Sequence, residues 1–443
     1  MRRLVTLLLT FAAVPLSAGT TLTLLHFSDY HSHAVPFYSE GRPDQGGIAR
    51  ALGYLEHEKS HGALVFNGGD MMNKGAPAWS DRYRCAEWPW LNGVVDAMAL
   101  GNHDPDYGFA DFERCRTAVK YPILSANTEG FERYRVFERH GVRIGVFAVA
   151  GADFPRLVKV PELHYSEPIA AAAEAVRELR DKEHVDAVVM IGHEHAEDDY
   201  RLAAAVPGID LIFGSHTHLK QALTKIPGTQ TWFISPYQYL AYVSRVRMTF
   251  AHHKLTSVTG KLVRIDESLP LDRKVAARIA NMQRKLAHDP DYAELFETVA
   301  TLPEALEVEA LAKLTLATMR EEATADVALS TTSSFRQSLP PGRIDVETLR
   351  AAMPYDNEIV VAELTGARLK DLLARAKADP KSDAFAYVTD MPAIDESKIY
   401  RVATTDYVAK IAAAYREVFS GIEVKSTGKH VREEVRKRLA GAR

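Results

Sequence analysis

The sequence predicts an α/β fold in two parts, and three observations predict it. Short apolar runs that suit buried strands each end abruptly in a polar cluster. Helical stretches lie between those runs, and strand, polar loop and helix in repetition form an α/β pattern. The pattern changes after about residue 265, and 443 residues are too many for a single core. Composition agrees, with 47% hydrophobic and 25% charged residues, both ordinary globular values. A formal net charge of −4 gives no global basic field to draw in a nucleic-acid polymer.

Residues 1–19 carry a basic start, an apolar run interrupted by Pro15, and small residues at 17 to 19. They read as a secretory signal cleaved near Ala18 or Gly19. A membrane anchor is the alternative, but the run is short for a span and no second span follows. The mature chain is therefore expected in the periplasm or secreted, without a stable membrane span. Two cysteines, Cys85 and Cys115, exclude a multi-cysteine metal site. In an oxidising compartment a single disulfide between them is favoured over two unpaired buried thiols.

The strand-like runs follow in order. "TLTLLHF" runs into Ser28-Asp29-Tyr30-His31, and "ALVF" into Asn67-Gly68-Gly69-Asp70. "VVDAMAL" meets Gly101-Asn102-His103-Asp104, "DAVVMI" meets Gly192-His193-Glu194-His195, and "DLIF" meets Gly214-Ser215-His216-Thr217-His218. "EPIAAAAEAVRELRDKE" is the clearest helix, with Pro168 near its start. Residues 266–300 read as a charged linking helix, and 301–443 as a second, smaller mixed domain. The tail, "GKHVREEVRKRLAGAR", reads as a solvated basic helix.

In α/β sheets, ligands gather beyond the carboxyl ends of the strands. Five such ends here carry Asp29, His31, Asp70, Asn102, His193, His216 and His218. Carboxylate, imidazole and amide together suit divalent Zn, Mn, Co or Fe. Seven ligands are too many for one ion, but they fit two ions about 3.5–4 Å apart that share a carboxylate. Each motif alone is a modest signal. Five of them, each ending an apolar run, are hard to explain otherwise.

These motifs resemble those of the calcineurin-like metallophosphoesterases, and within them the 5'-nucleotidase/UDP-sugar hydrolase family of secreted two-domain enzymes. Asp29 and His31 match D-x-H, Asp70 matches G-G-D, and Asn102 with His103 matches G-N-H-[ED]. His193 matches a lone histidine after a strand, and His216 with His218 matches G-H-x-H. The resemblance implies a four-layer α-β-β-α sandwich over residues 20–265, then a 5'-nucleotidase-type substrate-binding domain over 301–443. It implies one metal on Asp29, His31, Asp70 and His218. The second would sit on Asp70, Asn102, His193 and His216, with Asp70 bridging. Aligned on G-N-H-E-F-D, His103 would stabilise the phosphoryl transition state or protonate the leaving oxygen, and Asp106 would hold its ring. Asp104 competes for that pairing role. The implied reaction is attack of a metal-bound hydroxide on the phosphorus of a nucleotide ester, a UDP-sugar or a cyclic nucleotide.

The remaining histidines have blander readings. His26 fits a strand residue, His33 a residue behind the ligands, and His252 with His253 a solvated turn. His195 stands two after His193 and points either into the site or away from it.

The resemblance thins in the second half. Arg336 falls on the family's arginine, which reaches toward the nucleotide, and a bidentate guanidinium suits phosphate. Capping local backbone is its alternative role. The family's N-G-G-G-I run is Thr331-Thr332-Ser333-Ser334-Phe335 here, and Pro340 stands where a second arginine is common. Phe385, Tyr387, Tyr407 and Tyr415 are candidates for a base-stacking aromatic. The expected partner is a small phosphate ester, and nothing calls for more than a monomer. Two other readings stand beside the phosphoesterase: a thiosulfohydrolase on the same scaffold, and a non-catalytic metal-dependent binding protein.

Overall fold

The structure, a computed structural model, describes residues 19–441 apart from 76, 380–383 and 392. The signal expected over residues 1–19 lies, but for Gly19, outside the described residues. All five apolar runs form strands: Thr20–Phe27, Leu64–Asn67, Ala97–Ala99, Ala187–Met190 and Leu211–Phe213.

They are divided between two six-stranded sheets. The first runs Lys254–Arg264, Tyr242–Ala251, Thr20–Phe27, Leu64–Asn67, Ala97–Ala99, Ile123–Leu124. The second runs Lys220–Lys225, Trp232–Pro236, Leu211–Phe213, Ala187–Met190, Val142–Phe147, Tyr134–Arg139. Parallel register sets Phe27 beside Asn67 and Asn67 beside Met98, so the loops that follow emerge side by side.

Strand alternation explains the layers. Leu22 and Leu24 face the other sheet, whereas Leu25 and Phe27 face the helices. Between the sheets Leu24, Phe66 and Ala99 share one core with Val146, Val189 and Phe213. Helix Ile48–Ser60 covers the first sheet through Leu52 and Leu55. Helices Pro168–Asp181 and Ala196–Ala205 cover the second through Ala175, Leu179 and Leu202. Helix, sheet, sheet, helix is the four-layer sandwich the resemblance implies. His26 belongs to the inter-sheet face and stacks on Phe213 with ring centroids 4.7 Å apart. Burial lowers its pKa to about 3, so it stays a neutral core residue.

Helix Arg273–Ala287 begins at Asp272, whose carboxylate accepts from the N–H groups of Lys274 and Val275. It packs on the first half: Ile279 and Leu286 join the core under the first sheet, and Tyr83 Oη donates to Met282 O at 2.7 Å. The second half holds a five-stranded sheet in the order Ala386–Val388, Val327–Thr331, Ile399–Thr405, Glu358–Thr365, Val424–His430. Helix Val308–Glu322 covers one face and helix Gly366–Ala376 the other. Strand Thr298–Leu302 pairs with Gly342–Asp345 beside it.

The tail corrects its sequence reading. Helix Val431–Gly441 buries Val431, Val435 and Leu439 in the core that helix Val308–Glu322 also lines. One apolar residue per turn makes a stripe narrow enough to be lost among the charges around it.

Cys85 and Cys115 form a disulfide across a sequence separation of 30. The closed loop contains the Gly101–Asp106 segment, so the crosslink braces the ground under it. Replacing both cysteines by serine should cost about 3–4 kcal/mol on the loop-entropy estimate. Urea unfolding of the double variant, compared with the native chain, measures this; coincident midpoints would show that the bond adds nothing.

Candidate metal centre

Neighbouring strand ends are stitched together by backbone. Asp29 N–H donates to Gly69 O and His31 N–H to Asp70 O, each at 3.0 Å. Asp104, fully buried, accepts from Gly101 N at 2.7 Å, Met71 N at 2.8 Å and Asp70 N at 3.3 Å. It therefore fastens the third loop to the second. Burial first, and then Asp70, raise its pKa to about 7. Gly101 permits this approach: a Cβ there would overlap Asp70 N and Oδ1.

These contacts gather the candidate ligands into two groups. Asp29, His31 and His218 form one, and Asp70, His193 and His216 the other. In the first, His31 Nε2 lies 3.0 Å from His218 Nε2, and His218 Nε2 lies 3.4 Å from Asp29 Oδ1. Asp70 Oδ2 lies between the groups, 3.7 Å from His31 Nε2 and 3.2 Å from His193 Nε2. Ligand atoms bound at about 2.0–2.2 Å in a tetrahedron stand roughly 3.3–3.6 Å apart, so these spacings suit ions shared through Asp70. Asn102 Oδ1 is buried without a hydrogen-bond donor, as a cation ligand would be. The donor set and this orphaned oxygen fit two divalent ions.

The histidines are oriented for that work. His31 Nδ1 faces Met72 O at 3.1 Å and His193 Nδ1 faces Gly68 O at 2.6 Å. A carbonyl accepts, so each Nδ1 carries a proton and each Nε2 turns to the cluster. Burial keeps His31 and His218 neutral, with Arg336 adding to the effect at His218. Burial alone would raise Asp70, but His193 and His103 outweigh it and hold the carboxyl well below its usual range. The backbone is strained to match. Asp29, His31, Asp70, His216 and His218 have φ of 51°, 48°, 54°, 59° and 54°, in the left-handed region. Each such residue costs on the order of 1–3 kcal/mol, and strain of this kind clusters at functional sites.

His103 stands at the edge of both groups. Its N–H donates to Asp70 Oδ1 at 2.8 Å, and its Nδ1 meets Asp106 Oδ2 at 2.8 Å. Burial opposes charge on this ring, but Asp106 and Asp70 prevail and hold the imidazolium well above its usual pKa. Asp104 is taken up with three backbone N–H groups and does not compete for the ring. Arg336 arrives from the second half: its Nη1 lies against His218, 3.1 Å from Nε2, and its Nη2 donates to Tyr355 Oη at 2.9 Å. Among the described residues its side chain bonds to no backbone group.

The structure also sorts the remaining candidates. His33 stacks on Tyr239 at 3.5 Å behind the ligands, and His252 and His253 are exposed in a turn. His195 points inward, its Nε2 3.0 Å from Asp153 Oδ2. Tyr415 is fully buried in the second half's core, which removes it as a base-stacking surface, and Tyr407 packs half-buried against the same core. Phe385 and Tyr387 remain half-buried, with Phe335 edge-on to Tyr387 at 5.7 Å.

Asp153 is absent from the sequence reading. Its Oδ2 faces His216 Nε2 at 3.5 Å as well as His195, which leaves His216 Nδ1 for the cluster. It follows strand Val142–Phe147, so "IGVFAVA" running into Gly151-Ala152-Asp153 is a sixth strand end of the pattern already seen.

Residues 22–220 match the calcineurin-like phosphoesterase family, and residues 297–393 match the 5'-nucleotidase C-terminal domain. The two matches lie in tandem, a calcineurin-like phosphoesterase domain followed by a 5'-nucleotidase C-terminal domain. It is similar to Protein UshA of Yersinia enterocolitica, 25% identical over 486 residues that span 90% of this chain and 86% of that protein. A 5'-nucleotidase precursor from Thermus thermophilus has a TM-score of 0.76 at 21% identity, covering 96% of this chain and 97% of that one. The sulfate thiohydrolase SoxB of the same organism reaches 0.72 at 20% identity, covering 98% and 95%. At these identities the two solved structures speak for the fold alone.

A carboxylate that orients a ligating imidazole typically supports metal affinity by about 10- to 100-fold. Asp153→Asn should weaken one of two divalent-metal binding steps by that factor and spare the other. Calorimetric titration of the stripped protein resolves the two steps; equal affinities in variant and native protein would remove Asp153 from the site.

Proposed function

We propose that the protein is an exported, metal-dependent phosphoesterase that hydrolyses phosphate esters of nucleotides. One observation carries this reading: two ligand groups meet at Asp70, and the His103–Asp106 pair stands at their shared edge. Asp29, His31, Asp70 and His218 would hold one ion, and Asp70, Asn102, His193 and His216 the other. When bound, the two ions supply Lewis acidity to the phosphoryl oxygens and acidify a water molecule.

The chain's own groups do the rest. Asp106 holds His103 by Nδ1, so its proton at Nε2 is free for the substrate. As water oxygen bonds to phosphorus, the bond from phosphorus to the leaving oxygen breaks, and that oxygen takes the His103 proton. Arg336 reaches the same edge and suits the phosphoryl charge. Phe385 and Tyr387, half-buried with ring centroids 6.1 Å apart, are the aromatics of the second half suited to stack on a nucleobase. Export is supported by the basic-apolar N-terminus and by the disulfide.

The test uses metal-stripped protein resupplied with Mn²⁺, Zn²⁺ or Co²⁺. The substrates are a nucleoside 5'-monophosphate, a UDP-sugar, a 2',3'-cyclic nucleotide and an aryl phosphate. Phosphate release should require metal, and His103→Ala should lower kcat by about 10²- to 10⁴-fold while both ions stay bound. No turnover of any ester with metals bound would overturn the reading and favour thiosulfonate hydrolysis or simple binding.

A further inference from the structure

We propose that Tyr355 is a second phosphoryl-contacting residue, brought to the metal centre by the C-terminal half alongside Arg336. The inference rests on the phosphoesterase reading and adds a residue to it.

Tyr355 lies in the loop after helix Val346–Ala352, in "MPYDN". It is half-buried. Its Oη accepts from Arg336 Nη2 at 2.9 Å, and the guanidinium lies 5.5 Å from the ring centroid. With the oxygen accepting from Arg336, the phenolic O–H is left to donate elsewhere. Among the described residues it meets no acceptor.

Its surroundings call for an anion. Among the described residues no carboxylate oxygen comes within ion-pair distance of Arg336. Arg336 and His103 both lie close enough to influence the phenol. Burial would raise the phenol's pKa, but Arg336 and His103 outweigh it and hold it below the usual tyrosine value. A more acidic O–H is a stronger donor to a charged oxygen. The Arg336 guanidinium thus bridges Tyr355 and His218 of the first ligand group, and brings the phenol to the metal centre. A tetrahedral dianion placed there receives Arg336 on one oxygen and the Tyr355 O–H on its neighbour. The contact is to the transferred group, so it is independent of the alcohol that leaves. No proton moves from Tyr355: it donates a hydrogen bond that strengthens as charge builds on the phosphoryl oxygens.

The experiment compares the native, Tyr355→Phe, Arg336→Ala and doubly substituted full-length proteins, each loaded with Mn²⁺. Inorganic phosphate is the probe for calorimetric affinity. An aryl phosphate and a nucleoside 5'-monophosphate are the probes for kcat and KM. A hydrogen bond to a charged group predicts about tenfold weaker phosphate binding in Tyr355→Phe. It also predicts equal losses of kcat/KM on both esters, and a loss that persists in the Arg336→Ala background. Native phosphate affinity in Tyr355→Phe would overturn the proposal. So would a loss that vanishes without Arg336, because Tyr355 would then only prop the guanidinium. Phosphate binding is read without turnover, so an enzyme that binds phosphate yet hydrolyses no ester would sink the phosphoesterase reading and leave Tyr355 decided on its own terms.

Discussion

Asp70 lies between two groups of ligand-type side chains, and much of the first half is arranged around keeping it there. Its backbone N–H is held by Asp104, its carbonyl accepts from His31, and its two oxygens meet His103, His31 and His193. Concentrating carboxylates and imidazoles in a buried space is unfavourable unless opposite charge compensates. Five residues in left-handed backbone add to that cost. The two sheets offset it from outside, through an inter-sheet core that is apolar almost throughout. Electrostatic strain at the strand ends is thus held by dry packing a few residues away.

How much of this is legible in the chain follows from where the information sits. Ligands at strand ends are visible because the fold places chemistry where an apolar run stops, and both the run and the stop are local. The His103–Asp106 pairing has an i, i+3 spacing, and the structure brings those two side chains to 2.8 Å. Asp153 escapes a sequence reading although it obeys the same pattern, because it acts through His216, 63 positions away in the chain, and no local signal joins them. Tyr355 escapes it for a similar reason. Its partner Arg336 stands in a different loop, and its aromatic ring reads as packing until the hydroxyl is seen on the guanidinium. The tail helix reads as solvated because one apolar residue per turn is enough to dock it once a groove exists, and the groove is made elsewhere.

The two halves meet through a set of polar contacts, with Val346 of the second half packing against the cores of both. Gln238 Nε2 donates to Arg336 O at 2.6 Å, Ala78 N–H donates to Glu347, and Arg350 lies 3.6 Å from Asp81. Contacts of this kind resemble a transient interface more than a domain interior.

The handover between the two cores is short. Leu295 still packs in the core of the first half, and Val299 is already buried in that of the second. Arg336 therefore behaves toward the metal centre as a ligand on a very brief tether. Its encounter with the site is an intramolecular event with a high effective concentration, set by chain geometry rather than by any contact it makes. Lengthening the stretch between 295 and 299 would dilute that arginine in the only solution it experiences, with every residue of the site unchanged.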